Sequence, residues 1–135
     1  MTHQFKFDHE NKILLLRIEE RLTDKLARAL YWEVRKYSTS TDASAAIYDL
    51  SGVTEFAISP EMIRDLVNRE PAMLDATRRP RCLVAPAVFG LAISRLCEIA
   101  VESRNPLLKI VLSLDDAFAA LGVQSPHFEP LESST

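Results

Sequence analysis

The chain has 135 residues and a formal net charge of −3, with 47% apolar and 26% charged residues. That is the size and balance of one globular domain, and it argues against a disordered, fibrous or broadly nucleic-acid-binding chain. No apolar run approaches the roughly 20 residues of a membrane span. The N-terminus alternates rather than opening with an apolar core, so no signal peptide is expected. Cys82 and Cys97 lie in apolar segments, as reduced core cysteines of a cytoplasmic protein do.

Residues 3–8 and 12–19 read as paired strands. Phe5 and Phe7 alternate with polar neighbours, His9-Glu10-Asn11 is a break of hairpin length, and Ile13 to Ile18 is a longer apolar strand. Thr23 is placed to cap a helix running to about Tyr37, with Leu22, Leu26, Leu30, Val34 and Tyr37 on its buried stripe. Ser38 to Asp42 reads as a polar surface loop. Ala45 to Leu50 is a short strand buried on both faces, ended by Ser51-Gly52.

Ser59-Pro60 starts a second helix, with Met62, Ile63, Leu66 and Val67 on one stripe and Pro71 as its limit. A basic run, Arg78-Arg79-Pro80-Arg81, reads as a solvated loop before the strand Cys82 to Ala85. The longest apolar-periodic helix is expected from about Val88 to Arg104. Leu108 to Leu112 is the last expected strand. Ser113 with Asp116 makes a capping box, and Gly122 stands where a helix C-cap wants a left-handed residue. The segment 124–135 has two prolines and no periodicity, and is expected to be a loosely ordered tail to a domain over 1–123.

Strands alternating with helices imply parallel pairing, and the opening hairpin adds antiparallel strands. The expected fold class is therefore α/β: one mixed sheet of about five strands with about four helices.

The run Ile47-Tyr48-Asp49-Leu50-Ser51-Gly52-Val53-Thr54 resembles the aspartate-leucine-serine-glycine-valine segment that ends a central strand in the STAS domain family, which includes the anti-sigma-factor antagonists. The order of elements from Phe5 to Gly122 is similar as well. The ending Asp115 to Gly122 resembles that family's last helix, and the SpoIIAA-like, SEC14-like branch of small proteins is the nearer likeness. The resemblance implies a regulatory, protein-binding module. In the antagonists the loop after this strand carries an aspartate, two hydroxyl residues and a glycine, and a serine there is phosphorylated by a partner kinase. Here the stretch is Ala57-Ile58-Ser59-Pro60, so Ser59 alone remains as the regulatory candidate; it equally serves as an ordinary helix cap.

Motifs for chemistry are sparse. His3, His9 and His127 lie near the termini and read as surface residues, and no metal-ligand spacing is present. Three separated glycines make neither a phosphate loop nor a dinucleotide fingerprint. No catalytic residue, cofactor or metal is therefore expected, and the chain reads as a non-enzyme. Two binding modes stay open. One is a protein partner docking around Val53 to Arg64. The other is a small apolar or lipid-like ligand against Phe56, Ile58 and Phe89, as the SEC14-like resemblance implies. Trp32 lies off the main stripe of the first helix and marks either an exposed patch or packing under the hairpin. Homodimerisation also stays open.

Overall fold

A computed structural model describes residues 3–65, 80–85 and 108–131. Strand β1 (His3–Asp8) turns through Lys12, whose φ is 60°, into β2 (Ile13–Thr23), and the two pair antiparallel from His3↔Ile18 to Asp8↔Ile13. The carboxylate of Asp8 organises this turn. Its Oδ1 accepts the backbone N–H groups of Glu10 and Asn11, both at 3.0 Å, and its Oδ2 accepts the Asn11 amide at 2.8 Å.

Helix α1 (Asp24–Ser40) follows β2 directly. The Thr23 hydroxyl accepts the Leu26 N–H at 3.2 Å, the expected N-cap. The helix runs three residues past Tyr37, through the stretch that polarity alone assigns to a loop. Hydroxyl groups there turn back on the helix's own carbonyls: Thr39 donates to Lys36, and Ser40 and Thr41 donate to Tyr37. Ser38 is buried.

The chain returns as β3 (Ala45–Ala57), parallel to β2 from Ile13↔Ala45 to Thr23↔Ala57. Sequence punctuation ends this strand at Ser51-Gly52, yet pairing continues for five residues beyond Gly52. The reason is a close approach. A Cβ on Gly52 would lie 3.0 Å from Glu19 Cγ and 3.2 Å from the Ile18 carbonyl oxygen, so the glycine lets β3 pass the irregular stretch of β2. The register shifts there, between Arg17 and Glu19 and again between Glu20 and Arg21, where Glu20 takes a φ of 63°.

After β3 the described part of α2 covers 60–65. Strand β4 (Arg81–Val84) pairs parallel with β3, and β5 (Leu108–Val111) pairs parallel with β4. Arg81 is the buried first residue of β4, not part of a solvated loop, because the strand begins one residue after Pro80. Helix α3 (Leu114–Leu121) has the expected capping by Ser113, which accepts the Asp116 N–H at 3.1 Å, and ends at Gly122 with φ 71°. The expected helix at 88–104, with Cys97, lies outside the described residues, as do Arg78 and Arg79.

The sheet has six strands in the order β5-β4-β3-β2-β1-β6. The sixth, β6 (Glu129–Pro130), lies in the aperiodic C-terminal segment and pairs antiparallel with β1 at Lys6 and Phe7. Alternation along each strand sends side chains to two cores. Phe5, Phe7, Leu14, Leu16 and Ile18 meet Leu30, Tyr31, Val34 and Tyr37 of α1 on one face. Ile13, Leu15, Ile47, Cys82 and Val84 meet Ala117 of α3 on the other, with Phe118 and Phe128 stacked at 6.1 Å. Each fully buried side chain of this size contributes about 1.5–3 kcal/mol relative to exposure.

Candidate docking site beside the two helix starts

Open α/β sheets place ligands and partners at the carboxyl ends of their parallel strands. Here β2 and β3 end together at the pair Thr23↔Ala57, and both lead into helices: α1 at once, α2 after Ile58-Ser59. Ser59 caps α2, its hydroxyl accepting the Met62 N–H at 3.1 Å and its carbonyl accepting the Ile63 N–H at 3.0 Å. Its own N–H donates to Oδ1 of Asp24 at 2.8 Å. Asp24 is the first residue of α1, so one carboxylate fastens the start of one helix to the start of the other.

The remaining candidates fall around this clasp. Phe56 belongs to β3, opposite Leu22, rather than to a loop. Phe56 and Ile58 are half-buried and pack with Ile63, Leu83 and Ile110, which seats the first turn of α2 on the sheet. Arg64 is exposed on α2, with Glu61 and Asp65 exposed beside it. Phe89 lies outside the described residues.

Farther back along the two strands lies a second polar group that local sequence does not announce. Asp49 is fully buried. Its Oδ2 accepts from an Arg17 guanidinium nitrogen at 3.2 Å, and its Oδ1 accepts the Ser51 N–H at 2.9 Å. Arg17 also donates through Nε to Glu19 at 3.0 Å. The aspartate of the Asp49-Leu50-Ser51-Gly52-Val53 run thus anchors β3 to the irregular part of β2 just before both strands extend to the site. On the rim, Arg21 and Glu55 form an exposed cross-strand pair at 2.8 Å.

Burial pushes the Cys82 thiol above its ordinary value, with Lys109 only partly opposing the shift, and so disfavours the nucleophilic thiolate. Among the described residues no group of three or more histidine, cysteine or acidic side chains is placed to hold a metal ion. His3 contacts Glu33 of α1 at 3.0 Å, whereas His9 and His127 are exposed and flank Glu129. No helix among the described residues is long and apolar enough to cross a membrane.

Sequence signals made Ser59 a candidate through its cap position, and Phe56 and Ile58 candidates as apolar residues expected in a loop leaving a strand's carboxyl end. Asp24 gave no such signal as a site residue, because its partner is 35 positions away. An acidic residue in a helix's first turn is ordinary on its own.

No protein-family model matches the sequence, and no curated protein matches it significantly. Solved structures do. The unphosphorylated form of the anti-sigma factor antagonist SpoIIAA superposes with a TM-score of 0.62 at 10% identity, covering 91% of this chain and 99% of the other. An anti-sigma factor antagonist from Mycobacterium paratuberculosis gives 0.62 at 19% identity, covering 88% and 92%. Likeness over nearly the full length of both chains, with the mixed sheet described above, establishes that this protein has the SpoIIAA-like STAS fold.

Proposed function

We propose that this chain is a non-enzymatic regulatory module of the cytoplasm that docks on a protein partner around Val53 to Arg64, with Ser59 as its switch. The observation that carries the reading is the Asp24–Ser59 clasp at the carboxyl end of β3, in a fold shared with two anti-sigma factor antagonists. Phe56 and Ile58 supply the apolar floor of the surface and Arg64 its exposed cation.

A phosphate on Ser59 would bring about −1.5 to −2 charges to the first turn of α2. The helix dipole accommodates that charge. Asp24 does not, since its carboxylate is the acceptor of the Ser59 N–H at 2.8 Å. Phosphorylation therefore repels the carboxylate that holds the two helix starts together, and the docking surface changes shape as well as charge.

Incubation of the purified protein with cell extract and ATP, followed by intact-mass analysis, tests the switch. A phosphate added to the native chain and absent from Ser59→Ala supports it. An equal mass shift in both proteins removes Ser59 from the mechanism.

A further inference from the structure

The outer face of α1 is chemically unlike the rest of the molecule. Lys25, Arg28, Ala29, Trp32, Arg35 and Lys36 are all exposed on it, at spacings of three and four. Both acidic residues of the helix are engaged elsewhere: Asp24 with Ser59, and Glu33 with His3. Four cations thus surround one exposed tryptophan, with the part-exposed Glu33 carboxylate turned to His3 at the edge of the face, in a chain of net charge −3. Trp32 is 54% exposed, and the Arg35 guanidinium lies 5.7 Å from its ring centroid. Lys25, Arg28 and Arg35 have no carboxylate partner among the described residues.

We propose that this face is a peripheral docking surface for an anionic lipid bilayer. Lys25 and Lys36 are eleven residues apart, so the cations run along about 16 Å of one convex helix. A flat array of negative headgroups matches such a stripe, since four or more cations on one helical face is the composition that binds acidic lipid. Tryptophan is the aromatic that settles at headgroup level, with its indole N–H in the wet layer. A protein interface asks for more. Its buried centre needs several apolar side chains, and α1 offers one, its remaining large apolar groups being packed on the sheet. The acidic pair Asp115 and Asp116 belongs to α3, on the opposite face of the sheet, so approach through α1 keeps those charges away from the lipid.

Trp32 is the chain's single tryptophan, so its emission reports on this face alone. The full chain is mixed at low salt with vesicles of equimolar phosphatidylglycerol and phosphatidylcholine, and separately with pure phosphatidylcholine. Expected are a blue shift and co-sedimentation with the anionic vesicles only, both reversed as salt rises. Removing one cation should weaken partitioning about fivefold, and the double variant Arg28→Gln/Arg35→Gln about thirtyfold. These side chains are exposed, and an unchanged circular dichroism spectrum checks that the variant folds. No co-sedimentation at low salt overturns the proposal, as does undiminished binding by the double variant. A blue shift with soluble polyglutamate but not with vesicles overturns it too, and assigns the face to an acidic protein surface.

Discussion

Removing the Asp8 carboxylate should destabilise the fold far more than a hairpin residue ordinarily does. Asp8 is fully buried, and besides the turn it accepts the backbone N–H of His127 at 3.1 Å, joining positions 119 residues apart. The contact sits beside the pairing of β6 with β1 and the Leu131 N–H bond to the Phe5 carbonyl. Asp8→Ala leaves three backbone donors without their acceptor. Partial hydration limits the cost to about 1 kcal/mol each, so the loss is roughly 3 kcal/mol. For a chain of this length that lowers the melting temperature by about 9 °C. Asp8→Asn should cost about half as much. Its oxygen can still serve Glu10 and Asn11, but its amide nitrogen then faces two donors.

The pH dependence gives an independent check. Burial raises the Asp8 carboxyl, yet its hydrogen bonds from Asn11, His127 and Glu10 outweigh burial and hold it below the ordinary 3.8. A folded value below the unfolded one means stability is fully present above the unfolded value and lost as pH falls through the folded value. Urea unfolding of the native chain and Asp8→Asn should therefore show a constant gap from neutral pH to about 5, closing below about 4. A loss under 1 kcal/mol for Asp8→Ala, or a gap that widens in acid, would refute this account.

Two further substitutions probe the junction below the site. Gly52→Ala drives a methyl group against Glu19 and the Ile18 carbonyl, and should cost about 1–2 kcal/mol in urea unfolding; an unchanged midpoint would show that β2 yields freely. Arg17→Met leaves the buried Asp49 carboxylate without its cation. With Arg17 partly exposed and so solvent-screened, we expect a loss of about 2 kcal/mol, and a coupling of at least about 1 kcal/mol in a cycle with Asp49→Asn. Additive effects in that cycle would remove the ion pair as the anchor.

Local pattern determined much of this protein. Alternation in Phe5 and Phe7, the three-and-four spacing of Leu30, Val34 and Tyr37, and the caps at Thr23, Ser59 and Ser113 each depend on residues within one or two turns of the chain. Such features are written where they act, and the α/β order with its mixed sheet follows from them. The Asp49 to Val53 run carried the resemblance to STAS domains for the same reason. Where these local signals misled, a distant neighbour had intervened. Ser51-Gly52 reads as a stop, but β2 stands beside it as a template for four more pairs, and glycine is what the close passage requires. Arg81 reads as loop charge, but it opens a strand inside the sheet. Glu129-Pro130 has no strand signature at all, and becomes one through the edge that β1 offers. The candidate site shows the same division. Ser59 as a cap is local chemistry, whereas the Asp24 carboxylate reaches it only because β2 and β3 end level with each other. Sequence determines what each segment prefers; the tertiary structure alone decided which charges meet, because hydrogen bonds between segments depend on register and not on adjacency in the chain.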